Sequence, residues 1–385
     1  MNYFSSNFTL GVLGGGQLGK MLLYETRKYD IATKVLDPSN EAPCKIACDT
    51  FVQGDLMDFD TVVQFGKDVD VLTFEIENVC VEALEKLEQD GVVVYPSSKT
   101  LRTIQNKATQ KQFYKEHQIP TAPFRVFRDK YELQEAIVRK EIKYPFVWKS
   151  ATGGYDGRGV SVIRDAEDLI PLSEGECIAE KLIPFKHELA VIVARSANGD
   201  SVTYPVVEME FHPKANQVEY VICPARIDEA VANKAREVAI KVSKKMKHVG
   251  LLAVELFQTE TDDILVNEVA PRPHNSGHYS IEASYTNQFE QHLRAILGLP
   301  LGVTDSKVSG VMVNLVGAAE HTGQPVYKNI EKVLAMPGVT PHIYGKKQTR
   351  PFRKMGHVTI VHKDINEARN VAETVKETIS VVSST

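Results

Sequence analysis

The stretch that most constrains this chain runs from residue 252 to 278 and reads LAVELFQTETDDILVNEVAPRPHNSGH. Two runs rich in Val, Ile, Leu and Phe, Leu252–Thr259 and Ile264–Ala270, flank four polar residues, and this pattern predicts a β-hairpin. If the loop sets the register, Glu255 lies directly opposite Glu268, with Cβ atoms about 4.5–5.5 Å apart. Two desolvated carboxylates in that arrangement must take up a proton or hold a cation.

The glutamate pair predicts a magnesium site, because Mg²⁺ prefers oxygen ligands and usually keeps water and substrate phosphates in its other positions. The alternative is a solvated strand face carrying two surface glutamates, which is the usual place for charged side chains. The apolar residues on either side of Glu255 and Glu268 argue against an open face.

Composition excludes several classes of protein. The 385 residues predict two or three domains, and a formal net charge of −5 lacks the basic footprint of a nucleic-acid binder. The first residues lack a signal-peptide pattern and no apolar run is long enough to span a bilayer, so we expect a cytoplasmic protein without membrane contact. The five cysteines include no CxxC pair and are expected to be free thiols.

The N-terminal third alternates short apolar strands with helices, which predicts a Rossmann-like α/β unit. The first strand, Thr9–Leu13, precedes GGGQLG, which matches the G-x-G-x-x-G pattern of dinucleotide sites, and Asp37 stands near the position of a ribose-binding acid. A single phosphate would fit such a loop equally well. Glu75 and Glu77 follow the strand Val71–Phe74, where they could bind ribose or an amine, or could begin the next helix.

A second glycine-rich segment lies beyond a proline-punctuated linker. A helix predicted over Thr100–Gln118 carries Lys107, and a short strand ends at Lys149. SATGGYDGRGV follows at 150–160, and its successive backbone N–H groups could surround phosphate oxygens. It lacks the GK[ST] ending of a P-loop, so the alternatives are a phosphate-binding loop containing Arg158 and a plain glycine-rich hairpin.

The next segment predicts a strand over Cys177–Leu182, a turn over Pro184–Glu188 and a second strand over Leu189–Ala194. A strand that stops pairing before such a turn exposes backbone groups that an adenine edge can bind. Glu188 would then lie near the ribose hydroxyls.

Together these pieces resemble the ATP-grasp ligases. GGGQLG, TFEIENV, GGYDGRG, NEVAPRPHNSGH and RPFRKMGH, in this order over essentially the whole chain, resemble the N5-carboxyaminoimidazole ribonucleotide synthetase family within that superfamily. The resemblance implies that ATP and bicarbonate form carboxyphosphate, which carboxylates the amine of aminoimidazole ribonucleotide (AIR) and leaves ADP and phosphate. A formate-dependent glycinamide ribonucleotide transformylase of the same superfamily is the alternative, and the RPHNSGH segment favours the carboxylating family.

The resemblance also implies roles for individual residues. Mg²⁺ would bind Glu255 and Glu268. ATP would contact Lys107, Lys149, Gly154, Tyr155, Asp156, Gly157, Arg158, Gly159, Val160, Glu180, Lys181, Leu182, Ile183, Glu188, His212, Asn267 and Glu268. The catalytic set would be Arg272, His274, Asn275, Lys149 and Arg158. AIR would contact Gln17, Leu18, Glu75, Tyr155, Lys346, Arg350, Arg353 and Lys354.

Three further expectations complete the interpretation. The H-x₃-H spacing of His274 and His278 could suggest zinc, but no cysteine lies nearby, and we expect a turn that presents polar groups to substrate. Asn267 would point away from Glu268 in a regular strand. We expect a Rossmann-like domain over 1–110, an ATP-grasp domain over 111–300 and a small β-rich domain over 301–385, and the resemblance implies a homodimer.

Overall fold

A computed structural model describes residues 3–153, 159–212 and 217–384. The N-terminal part, residues 3–105, is a parallel sheet with strand order β3-β2-β1-β4-β5 and flanking helices. Its elements are β1 Thr9–Leu13, α1 Gln17–Lys28, β2 Ala32–Asp37, β3 Thr50–Gln53, α2 Phe59–Gly66, β4 Val71–Phe74, α3 Val81–Gln89, β5 Val93–Val94 and α4 Ser98–Gln105. The central strands are apolar and buried, as expected where helices cover both faces of a parallel sheet.

The helix predicted over 100–118 is wrong as a single element. Asn106 interrupts it with an extended backbone (φ −119°, ψ 114°), and its side chain accepts a hydrogen bond from Thr109 N. A second helix, α5 Lys107–Glu116, therefore starts at this N-cap. The interruption places Lys107 at the first position of a helix instead of within one.

The glycine loop region is built on a small antiparallel sheet with strand order β6-β9-β7-β8. Its elements are β6 Phe124–Phe127, α6 Lys130–Val138, β7 Phe146–Ser150, β8 Val160–Ile163 and β9 Cys177–Lys181. Residues 154–158 of the predicted phosphate loop lie outside the described residues. The strand after β9 begins at Phe185, so the turn predicted over Pro184–Glu188 is largely strand, with a register shift between Phe185 and His187.

A large antiparallel sheet connects the rest of the described chain, in the order β15-β14-β10-β12-β13-β16-β19-β18. Its central elements are β10 Phe185–Arg195, β11 Ser201–Thr203, β12 Val207–Phe211, β13 Val218–Cys223, α7 Glu229–Met246, β14 Gly250–Thr259, β15 Ile264–Ala270, α8 Ser280–Ala283 and α9 Gln288–Ile296. Helix α7 packs its apolar face on β10, β14 and β15 to form one core.

The C-terminal elements are β16 Ser309–Val316, β17 Pro325–Lys328, α10 Ile330–Leu334, β18 Val339–Ile343, β19 Lys354–His362, α11 Ile365–Thr378 and β20 Ser380–Ser383. Strands β16, β19 and β18 continue the large sheet, because β13 pairs with β16, whereas β17 and β20 form a separate two-stranded antiparallel sheet. The predicted three-part α/β class is confirmed, while the predicted domain boundaries remain predictions. Every helix in the described part of the chain is too short or too polar to cross a membrane.

Candidate active site

The predicted glutamate pair exists, although the hairpin reaches it by a different register. Near the turn, Gln258 pairs with Ile264 and Leu256 with Val266, a register that would place Glu255 opposite Asn267. A β-bulge then shifts the pairing by one residue, and Glu255 pairs with Glu268. The prediction that these glutamates are partners is therefore confirmed.

The bulge also corrects the expectation for Asn267. Its side chain was predicted to point away from the glutamates, but Lys149 Nζ donates to Asn267 Oδ1 at 2.8 Å. Because the bulge breaks the strict alternation of side chains, Asn267 reaches the cluster that contains Lys149. Asn267 and Lys149, which are both predicted to bind ATP, are therefore joined by a hydrogen bond.

Lysines surround this cluster. Lys107 donates a short hydrogen bond to Glu268, and Lys149 Nζ lies 3.1 Å from Glu180 Oε2. Lys111, which the sequence analysis did not single out, lies 3.0 Å from Glu180 Oε1 and also donates to Thr121. It is one helical turn beyond Lys107 in α5, so the shared face of the helix was the signal that could have identified it.

The carboxylates of the site fall into two groups, one with lowered and one with raised pKa values. Lys107 holds the pKa of Glu268 below its usual value, and Lys149 and Lys111 do the same for Glu180 despite burial. Burial, with the charge of Glu268, raises the pKa of Glu255. Burial also raises the pKa of Glu188 to about 7. Among the described residues, Glu268 and Glu180 are therefore paired with lysines, whereas Glu255 and Glu188 have raised pKa values.

The segment after the hairpin brings its polar residues to the same place. His274 Nε2 lies 3.4 Å from Glu255 Oε1, and His274 Nδ1 accepts a hydrogen bond from Ser276 N at 3.3 Å. The neutral ring therefore carries its hydrogen on Nε2, facing the carboxylate. Arg272 Nε lies 2.9 Å from Glu77 Oε1, which connects this segment to the N-terminal sheet.

Asn275 and His278 have mainly internal partners. The side-chain amides of Asn275 and Asn314 exchange two hydrogen bonds of 2.9 Å each. His278 is buried, accepts a hydrogen bond from Gln288 and stacks on Phe289. In the described part of the chain, no group of three or more His, Cys, Asp or Glu residues could hold a metal ion.

The first glycine loop is occupied by the protein's own carboxylates. Gly16 N and Gly19 N donate to the two oxygens of Glu75 at 2.8 and 3.0 Å, and Gly15 N donates to Asp37 at 2.7 Å. An added Cβ at Gly16 would lie 2.6 Å from Glu75 Oε1, so glycine is required for this close approach. These N–H groups at the start of α1 therefore bind Glu75 and Asp37 instead of a dinucleotide phosphate.

Two neighbours of that loop have different environments. Leu18 is buried in the apolar core of the N-terminal sheet, and its contact with AIR remains a prediction. Gln17 lines a cavity of about 190 Å³ together with residues of β18 and the segment after it. Lys20 closes one side of this region by donating to the backbone oxygens of Ile343 and Tyr344.

The basic segment of the C-terminal part forms an ordered loop. Arg353 Nη1 donates to Gln348 O at 2.6 Å, and Lys346 Nζ donates to Lys354 O at 2.7 Å. Arg350 is exposed. Burial and the charge of Glu268 raise the pKa of Glu255, and the charge of Lys354 opposes that increase.

The other predicted ATP contacts are only partly described. Gly154, Tyr155, Asp156, Gly157 and Arg158 lie outside the described residues, and Gly159 and Val160 lead into β8, with Gly159 O accepting from Ser150 N. Lys181 and Leu182 are exposed at the end of β9, and Ile183 is half-buried. The ring of His212 contacts that of Phe352, with centroids 5.8 Å apart.

Three features together define an ATP-grasp ligase. They are a hairpin with paired carboxylates, two lysines of which one lies in a helix and one in a strand, and a glycine-rich segment between two strands. Three family models match the chain: the ribonucleotide synthetase preATP-grasp domain over residues 8–105, the ATP-grasp domain over 112–289, and the phosphoribosylaminoimidazole carboxylase C-terminal domain over 310–371.

Individual relatives show which family of ATP-grasp ligases the chain resembles. An N5-carboxyaminoimidazole ribonucleotide synthase of Bacillus subtilis is 37% identical, covering 93% of this chain and 92% of its own. A phosphoribosylaminoimidazole carboxylase of Saccharomyces cerevisiae is 38% identical over 93% of this chain, which spans 64% of that longer protein. The chain belongs to the N5-carboxyaminoimidazole ribonucleotide synthetase family.

Solved structures agree with this membership. The synthetase of Thermotoga maritima superposes with a TM-score of 0.90 at 41% identity, covering 98% of this chain and 100% of its own. The Aspergillus clavatus enzyme, solved with ADP and aminoimidazole ribonucleotide, has a TM-score of 0.88 at 35% identity, covering 97% of this chain and 98% of its own.

Proposed function

We propose that this protein carboxylates aminoimidazole ribonucleotide with bicarbonate at the expense of ATP, a step of purine biosynthesis. Carboxyphosphate forms first, the exocyclic amine then takes up the carboxylate, and ADP and phosphate are released. The observation that carries the proposal is the convergence of the Glu255–Glu268 pair, the lysines and His274 at one site. The carboxylase and synthetase relatives favour this reaction over the formate-dependent alternative.

Phosphoryl transfer needs positioning and neutralisation of charge more than covalent catalysis. Lys149 is buried and Lys107 is half-buried, and their ammonium groups already have carboxylate partners in Glu180 and Glu268. Those partners fix both lysines in place before ATP arrives, so the α- and β-phosphates meet a preorganised positive site. Residues 154–160 would close over the β- and γ-phosphates and keep water from the carboxyphosphate.

The residues present fit a magnesium ion. Glu255 and Glu268 supply oxygen ligands on adjacent strands and face each other across the hairpin, an arrangement of carboxylates that a cation would stabilise. When bound, Mg²⁺ would neutralise charge on the phosphate oxygens. Asn267 is placed beside this pair by the bulge and would contact the nucleotide phosphates together with Lys149.

Bicarbonate would be held between Arg272 and His274. The contact of Arg272 with Glu77 orients the guanidinium, and His274 directs Nε2–H towards the hairpin carboxylate. Both groups can donate hydrogen bonds to oxygen anions, which suits the charge that develops on the carboxyl group. Asn275, fixed by Asn314, would complete the polar wall.

The phosphate of AIR would bind Arg350, Arg353, Lys346 and Lys354. The glycine loop is the competing phosphate site, but Glu75 and Asp37 already occupy its N–H groups. Glu75 would act mainly by shaping the loop that presents Gln17. We also propose, following the family resemblance, that the protein is a cytoplasmic homodimer, which light scattering of the purified chain would test.

Release of phosphate from ATP with Mg²⁺ tests the function when AIR and bicarbonate are each supplied or omitted, with bicarbonate removed from the buffer. We expect turnover that requires both. Turnover that ignores AIR but responds to glycinamide ribonucleotide and formate would assign the protein to the transformylases. Bound nucleotide without turnover under any combination would refute an enzymatic function.

A further inference from the structure

A single buried side chain holds both backbone hydrogen-bonding groups of His274. Gln288 begins α9 and is fully buried. Its Oε1 accepts from His274 N at 2.8 Å, and its Nε2 donates to His274 O at 2.8 Å. The second hydrogen of Nε2 is directed at His278 Nδ1, 2.9 Å away. The amide therefore binds the segment at two points that are four residues apart.

This arrangement can be satisfied in only one orientation of the amide. A flipped Gln288 would direct its NH₂ group at the N–H of His274 and its oxygen at a carbonyl oxygen. The pKa of His278 lies well below its usual value because of burial, so the ring is neutral and its Nδ1 can accept. The same orientation of the Gln288 amide therefore satisfies all three partner atoms, His274 N, His274 O and His278 Nδ1.

The backbone next to the Gln288 amide has a glycine where the two approach closely. An added Cβ at Gly277 would lie 2.4 Å from Gln288 Oε1 and 2.3 Å from Ile192, so this position has no room for a side chain. Ser280 Oγ donates to Gly277 O at 2.6 Å and accepts from Gln288 N at 3.0 Å. The turn, the serine and the amide thus form one connected hydrogen-bond network.

We propose that Gln288 is a positioning residue that sets the location of His274 against Glu255, an inference that rests on the proposed function. It contacts no reacting atom itself. The ring of His274 lies between its bonds to Ser276 and the carboxylate of Glu255, so a shift of its backbone moves Nε2 relative to the metal pair. Misplacement of a catalytic group by about 1 Å can reduce turnover by about 100-fold.

The same helix supplies a matched control. Gln291 is also fully buried, and it forms the same two-bond pattern with one backbone residue. Gly302 N donates to its Oε1 at 2.8 Å, and its Nε2 donates to Gly302 O at 2.9 Å. Gly302 belongs to the connection after α9, and its two hydrogen bonds hold that connection and not the segment that carries His274. Loss of this amide has a comparable structural cost without moving His274.

The experiment compares Gln288→Met with Gln291→Met in full-length protein. For each variant, kcat and the KM values for ATP, AIR and bicarbonate are measured, together with the midpoint of thermal unfolding. We expect both midpoints to fall. Only Gln288→Met should lose kcat, by about 10- to 100-fold, with the KM for ATP nearly unchanged because Lys107 and Lys149 are held by other partners.

Gln288→Glu and Gln291→Glu provide a second pair that preserves side-chain size, should a methionine variant fail to fold. Gln288→Glu keeps the acceptor for His274 N but loses both donated bonds, so kcat should again fall selectively. An equal loss of kcat in the 288 and 291 variants, or unchanged kcat in both 288 variants, would overturn the proposal. Failure of the proposed function is distinct, because it would appear as absent AIR- and bicarbonate-dependent turnover in the unmodified protein.

Discussion

Two buried carboxylate sites in this protein show how differently a charge can be satisfied. Glu75 accepts hydrogen bonds from the backbone of the glycine loop, and both of its oxygens are engaged within the protein. Glu255 faces Glu268 across a bulged strand pair. Burial raises the pKa of both Glu75 and Glu255, and at Glu255 the charge of Glu268 raises it further. The two sites therefore differ in their partners, because backbone N–H groups hold Glu75 whereas Glu255 faces a second carboxylate.

Taken alone, the glycine-loop motif and the glutamate hairpin suggest the opposite roles for these two sites. A glycine-rich turn before a helix is a familiar anion site, yet here the anion is a side chain of the same domain. A hairpin with two glutamates is an ordinary surface pattern, yet here lysines from α5 and β7 contact its side chains. The identity of the neighbours, rather than the motif, decides which site remains available to substrate.

The largest effect is expected at the hairpin. Glu268→Gln should reduce ATP turnover by at least about 1,000-fold, equivalent to about 4 kcal/mol, because it removes one of the two carboxylates proposed to bind Mg²⁺ and the partner of Lys107. AIR binding, measured by calorimetry, should be largely unchanged. Glu260→Gln in the exposed turn of the same hairpin is the control. Loss of both ATP turnover and AIR binding would contradict the division into two sites.

A second prediction concerns the phosphate of AIR. Because the N–H groups of the glycine loop are occupied, Arg353→Ala should raise the KM for AIR by about 10- to 100-fold, the effect of losing a charged hydrogen bond. The KM for ATP should change far less. Lys347→Ala, at an exposed position in the same segment, should have little effect on either constant. Equal increases in both KM values for Arg353→Ala would remove this residue from the AIR site.

Glu75→Gln tests whether the glycine-loop carboxylate is structural. The amide NH₂ would face a backbone N–H, so the free energy of unfolding should fall by about 1–3 kcal/mol. Chemical denaturation measures this change, with Glu41→Gln, an exposed glutamate of the same domain, as the control. Abolished ATP turnover at unchanged stability would instead make Glu75 equivalent to the hairpin glutamates.

The smallest effect is a dependence on pH. Burial raises the pKa of Glu188 to about 7, above its usual value of 4.5. Between these values the unfolded chain has released the proton that the folded protein retains, so the free energy of unfolding falls as pH rises, by at most about 1.4 kcal/mol per pH unit. Above about pH 7 this contribution is constant.

Glu188→Gln removes one titrating group, so the slope should be smaller than in the unmodified, nucleotide-free protein, with Glu255 contributing to what remains. Urea denaturation at several pH values measures the difference from the unmodified chain. The Glu260→Gln control should keep the full slope. An unchanged slope in Glu188→Gln would assign the titration to another group in the cluster.

Local patterns were enough to predict much of the N-terminal sheet. The strands Thr9–Leu13 and Val71–Phe74 have the predicted bounds, because buried strand composition acts over a few neighbouring residues. The split between α4 and α5 was missed, since Asn106 serves as a cap only where the chain turns away from Gln105. Such a cap depends on the packing of both helices.

The sequence by itself determined the family and the hairpin that carries Glu255 and Glu268, because those features lie in contiguous motifs. The tertiary structure alone decided that a bulge at Asn267 produces the pairing, and that Glu75 fills the glycine loop from 59 residues away. It alone placed Lys111 on Glu180 and Gln288 on His274. Hydrogen bonds between distant segments depend on where the packed chain brings their atoms, and no local pattern contains that information.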